Sequence, residues 1–177
     1  MSRQIHRLLF FWMTSLISAV AVYYTLRLFM PERHVFASLF RMHPYHEQHC
    51  IQYIAIPCFI YGIIAAALSG SFSKKGISGQ ALFASGIAAA TILISSPLGG
   101  MSWAFHDMQA GFFPKSWPHK LAVGFFMGSN DGWMIILYSI PYNIIGLIVC
   151  YFLTKSGCAL PGLPAANVQT GAGLQTR

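Results

Sequence analysis

An all-α integral membrane protein, a four-transmembrane-helix bundle with an interfacial or re-entrant segment between spans three and four, is the fold class this chain predicts. Three observations carry that expectation. Hydrophobic residues make up 55% of the 177 and charged residues only 8%, against about 25% charged in a soluble domain. Apolar runs long enough to cross a bilayer recur along most of the chain. All four acidic residues, Glu32, Glu47, Asp107 and Asp131, and six of the seven histidines fall in two stretches, residues 31–50 and 100–132. The apolar runs between those stretches would leave both on the same side of a membrane.

A helix satisfies its own backbone hydrogen bonds, so crossing about 30 Å of hydrocarbon takes roughly 20 helical residues. The first such run, Leu8 to Phe29, is broken only by Arg27, whose long side chain can reach the headgroups. The second is Ile51 to Ser69, the third Ala81 to Leu98 and the fourth Trp133 to Leu153. Arg3 and Arg7 before an apolar core, with Ala19-Val20-Ala21 after it, also have the form of a cleaved secretory signal. The run continues well past that site, which favours retention as an anchor.

Four spans return both termini to one side. The short leader carries two arginines and no acid, which places the termini in the cytoplasm of an inner or plasma membrane. The net charge of +7 suits anionic headgroups, so the lipid bilayer is the first expected partner. No basic run interleaved with aromatics is present, and nucleic acid is not an expected partner. The Gly70 to Gly79 segment, with Lys74 and Lys75, reads as a tight turn between spans two and three. Small residues at four-residue spacing, Gly62, Ala66 and Gly70 in span two and Ser85, Gly86, Ala89 and Ala90 in span three, predict close helix packing there. Residues 1–155 form one transmembrane domain, and residues 156–177, rich in Gly, Pro, Ala and Thr, read as a flexible tail.

Chemistry is expected at the acidic and histidine stretches. Pro44 suits the first turn of a helix, on which His46, His49, Cys50 and Tyr53 share one stripe at the membrane surface. The other stretch sets His106, Asp107 and His119 among Trp103, Phe105, Phe112, Phe113 and Trp117, an aromatic density at home in the headgroup layer. From Leu121 to Leu153 is too long for one span, so a break or re-entrant turn is expected at Gly128 to Gly132, near Asp131. Pro57, Pro97 and Pro141 can each kink a helix. Asn143 is expected to bond a neighbouring helix.

His46, His49, His106 and Asp107 together make a mixed nitrogen and carboxylate ligand set, with Cys50 and His119 in reserve. Zinc accepts such a set as a tetrahedron, iron accepts two histidines and a carboxylate, and Cys50 or Met108 would shift the preference toward copper. A bound ion would activate water or dioxygen, with Glu47 or Asp131 as the catalytic general base. The plainer reading is that these groups only pair with Arg33, Arg41, Lys115 or Lys120, or bond to loop carbonyls. Haem is disfavoured, because the histidines sit at helix ends and C-x-x-C-H is absent. The four cysteines form no C-x-x-C, and Cys58 and Cys150 read as packing residues. A Gly-rich phosphate loop, G-x-S-x-G and H-E-x-x-H are missing. Three functions follow: a metal-dependent membrane enzyme acting on a lipid-soluble substrate, a noncatalytic subunit of a membrane complex or homo-oligomer, and a small ion or proton permease.

Overall fold

The computed structural model describes residues 3–29, 50–111, 117–138 and 142–159. Among them the chain is all-helical: α1 Arg3–Phe29, α2 Cys50–Ser73, α3 Ile77–Gln109, α4 Trp117–Tyr138 and α5 Tyr142–Cys158. Three stretches are long and apolar enough to cross a membrane, Gln4–Val22, Ile54–Ser73 and Ile77–Gln109. Large apolar side chains such as Ile17, Ile63, Ile94 and Ile148 stand exposed on four different helices, as a surface solvated by lipid requires. Ser and Thr within the helices donate back to carbonyls three or four residues earlier, for example Thr14 to Phe10, Thr91 to Ile87 and Ser96 to Ile92. Their hydroxyls therefore need no water.

Helices α1 to α4 run antiparallel each to the next, and α5 continues in the direction of α4 along α3. Between α2 and α3 the chain turns in three residues, with Lys75 N–H donating to Phe72 at 3.1 Å and Gln80 N–H to Gly76 at 2.8 Å. Around this turn a shared core assembles from four helices: Phe11 of α1, Tyr61, Ala65 and Phe72 of α2, Ala84 and Ile87 of α3, and Cys150 of α5. Polar links stitch the same region. Thr154 donates to the Cys150 carbonyl at 2.7 Å, and the Tyr61 hydroxyl lies 2.9 Å from the Thr154 oxygen. Cys150 Sγ donates to the Ala84 carbonyl, and Ser15 Oγ to that of Cys58. Cys58 and Cys150 are buried free thiols, as packing residues should be.

The other end is built differently. α4 has its extensive contact with α3, and that contact is made of backbone. Gly124, Gly128 and Gly132 face Ser96, Gly100 and Ala104, both sets at four-residue spacing. A Cβ added at Gly100, Gly124 or Gly128 would overlap backbone or side-chain atoms of the facing helix. Without a hydrophobic drive between helices in lipid, such close approach is what gains dispersion contact. α3 stops at Ala110 and Gly111, where Gly111 takes φ +79°, the left-handed conformation glycine adopts without steric cost.

Two expectations are corrected here. The stretch around His106 and Asp107 is not a separate interfacial or re-entrant piece but the regular continuation of α3 to Gln109. Pro97 is absorbed inside that helix, and Gly99-Gly100 does not end it, because Gly100 is held against α4. Nor does the chain break at Gly128 to Gly132, which is helical throughout. The glycines that read as a breaker are the helix's contact face. Helix α4 ends instead at Tyr138 and α5 begins at Tyr142, on either side of Pro141. Across that gap Asn143 Nδ2 donates to the Ile136 carbonyl at 2.8 Å, so its bond does reach the neighbouring helix.

The small-residue stripes of α2 and α3 also act elsewhere than expected. The two helices do touch, yet Gly62 makes room for Trp12 of α1, and Gly70 and Gly86 meet nothing within 4 Å. Replacing Gly128 with Leu should therefore lower the unfolding free energy by about 3 kcal/mol, the upper part of the overpacking range. Gly146→Ala, with open space around its Cβ position, should instead raise it by up to ~1 kcal/mol. Reversible denaturation in mixed micelles reads both.

Candidate functional site

The polar groups collect at the end of the bundle where α3 passes into α4. Helix geometry sets their levels. Ile64 and Leu68 of α2 line one groove with Gly86 and Leu82 of α3, and continuing that antiparallel pairing sets Cys50 opposite Gly100. The last residues of α3, through Gln109, run on past the start of α2 by about 14 Å. At 33 residues α3 is about 50 Å long, against the roughly 30 Å of a hydrocarbon core. The part of α3 beyond the level of Cys50, called the arm below, is zipped to α4 by the glycine seam.

His106 and Asp107 sit on that arm, one turn past Ala104. Adjacent helical residues point about 100° apart, and the two differ accordingly: Asp107 is only 6% exposed, whereas His106 is half-buried. The antiparallel seam pairs Ala104 with Gly124, which brings the start of α4, with exposed His119 and half-buried Lys120, to the level of Asp107. Asp107 and Lys120 each take part in at least one polar or electrostatic interaction.

Asp131 lies elsewhere. It precedes Gly132, which contacts Ser96, and so stands level with the middle of α3. From Lys120 to Asp131 along α4 is about 16 Å, too far for Asp131 to share an ion with His106 and Asp107. Its side chain is half-buried.

The remaining proposed ligands, His46 and His49, and the proposed base Glu47 lie outside the described residues, as do Arg33, Arg41, Lys115 and the tail beyond residue 159. Among the described residues no three His, Cys, Asp or Glu side chains come together as a metal site. Sequence reasoning passed over the residues that build the arm, Ser96, Gly100 and Ala104 against Gly124, Gly128 and Gly132. Their four-residue spacing was the available signal. No family model, curated protein or solved structure matches this chain.

Proposed function

We propose that this chain is a noncatalytic subunit of a larger membrane assembly, crossing the bilayer four times and presenting the α3–α4 arm to a partner. In this reading α1, α2 and the first two-thirds of α3 are three crossings. The fourth is the broken path from Asp131 through α5, which runs antiparallel beside α3 and meets it at Ala84. The observation that carries the proposal is the apolar surface of the arm. Along the paired ends of α3 and α4, Leu98, Phe105, Val123, Phe125, Phe126 and Met127 are all exposed, Phe126 by 71%. In this reading the paired ends of α3 and α4 lie beyond the hydrocarbon, where exposed apolar side chains serve as an interaction site, and the glycine seam makes them rigid enough to dock without a large ordering cost. Purified from its own membrane in mild detergent, the wild type should show a mass well above one chain by light scattering. The variant with both Phe105→Ser and Phe126→Ser should fall to a single-chain mass while keeping its helical spectrum. A single-chain mass for the wild type would overturn the reading.

A second reading, the metal-dependent membrane enzyme, is favoured by topology. The end of α3 with His106 and Asp107 and the start of α2 at Cys50, which directly follows His46, Glu47 and His49 in sequence, are at the same end of the bundle. In that arrangement His46, His49, His106 and Asp107 would hold zinc, iron or copper, and Glu47, not the distant Asp131, would be the base. Elemental analysis should then find stoichiometric metal in the wild type and little in His46→Ala or His106→Ala. Equal, negligible metal in all three removes the metal centre.

A further inference from the structure

At the opposite end of the bundle, beside the α2–α3 turn, a groove of about 240 Å³ opens along the outer side of the two helices. Its walls are Ile64 and Leu68 of α2 and Leu82 and Phe83 of α3, and Gly86 and Ala90 leave it room. Nothing lies within 4 Å of a Cβ position at Gly86, so the trough is open to whatever solvates the helix. It is smaller than the roughly 300–1,000 Å³ of an enclosed small-molecule pocket. A chain lying along it, with the rest of the molecule in the bilayer, fits its form better than a soluble metabolite.

One end of the groove is charged and the other is not. Lys75 belongs to its lining. The stem of Lys75 lies over Gly79, where an added Cβ would come 3.2 Å from the Lys75 Cβ, and its ammonium stands 5.3 Å from the centre of the Phe83 ring. A cation over an aromatic face is held in place by the ring's electrostatics. Lys74 lies beside it, and both described carboxylates, Asp107 and Asp131, belong to the far end of the bundle. From Gly79 to Ala90 the trough runs about 16 Å along α3, close to the roughly 15 Å that is half of a 30 Å hydrocarbon core. The groove thus has one leaflet's depth, with a positioned cation at the headgroup level and an apolar floor below it.

We propose that this groove is a binding site for one anionic phospholipid, its phosphate on Lys75 and one acyl chain along Leu82, Gly86 and Ala90. Native mass spectrometry of the full chain, released from nanodiscs containing equal phosphatidylglycerol and phosphatidylcholine, tests it. The wild type should retain one phosphatidylglycerol in preference to phosphatidylcholine. Lys75→Ala should reduce that retention about five-fold, the equivalent of the ~1 kcal/mol a basic residue gains at an anionic surface, whereas Lys74→Ala leaves it within two-fold. Gly86→Phe, which fills open space and leaves the fold intact, should abolish it, and soluble glycerol phosphate should not displace the lipid. Equal retention of both lipids, equal effects of the two lysine variants, undiminished binding in Gly86→Phe, or displacement by glycerol phosphate would each overturn the site.

Discussion

The structure depends on how closely the backbones of α3 and α4 approach each other. Lipid tails are as apolar as leucine, so two membrane helices gain little by hiding apolar surface and must gain by contact. Gly124, Gly128 and Gly132 against Ser96, Gly100 and Ala104 provide it, and at Gly100, Gly124 and Gly128 a Cβ would overlap atoms of the facing helix. This seam lets α3 continue as a 33-residue helix well beyond the end of α2. Without it, the ends of α3 and α4 would have no shared core to hold them, because the buried cluster draws on α1, α2, α3 and α5 near the opposite turn.

That division of labour gives the molecule two unlike ends. Near the α2–α3 turn, aromatic packing of Phe11, Tyr61 and Phe72 and the Tyr61, Thr154 and Cys150 hydrogen bonds hold four helices together. At the arm, two helices are held by backbone contact, and the scarce titratable groups His106, Asp107, His119 and Lys120 are carried there. Anchoring and presentation are therefore performed by different kinds of packing. At the anchored end the basic turn holds the Lys75 ammonium 5.3 Å from the centre of the Phe83 ring.

Much of the fold was legible in the sequence, because apolar runs of span length have few other uses. The runs expected to span at Leu8 to Phe29, Ile51 to Ser69 and Ala81 to Leu98 overlap the three helices long and apolar enough to cross a membrane, and Cys58 and Cys150 are buried; the run Trp133 to Leu153 is divided between α4 and α5. The error lay in glycine. Gly128 to Gly132 reads as punctuation in water, where glycine weakens a helix, whereas in a closely packed helix pair in lipid the same residue serves by the absence of a side chain. A single sequence does not distinguish these uses until both partners of the seam are considered together, and the matching period lay twenty residues away. The site was less legible. Helical registry set Asp131 about 16 Å from Asp107, a separation that follows only once α4 is known to be continuous between them.

The most direct test is a pair of cysteines, Ser96→Cys with Gly132→Cys, in a background where Cys50, Cys58, Cys150 and Cys158 are replaced by alanine. The Ser96 Cβ lies 3.0 Å from a Cβ built at Gly132, near the roughly 3.5–4.5 Å that a disulfide spans. Mild oxidation in membranes should cross-link this pair in high yield and leave the pair Ser96→Cys with Gly146→Cys unlinked. Failure of the first pair to cross-link, with both thiols reactive toward maleimide, would mean that α4 does not run continuously along α3 and would remove the arm.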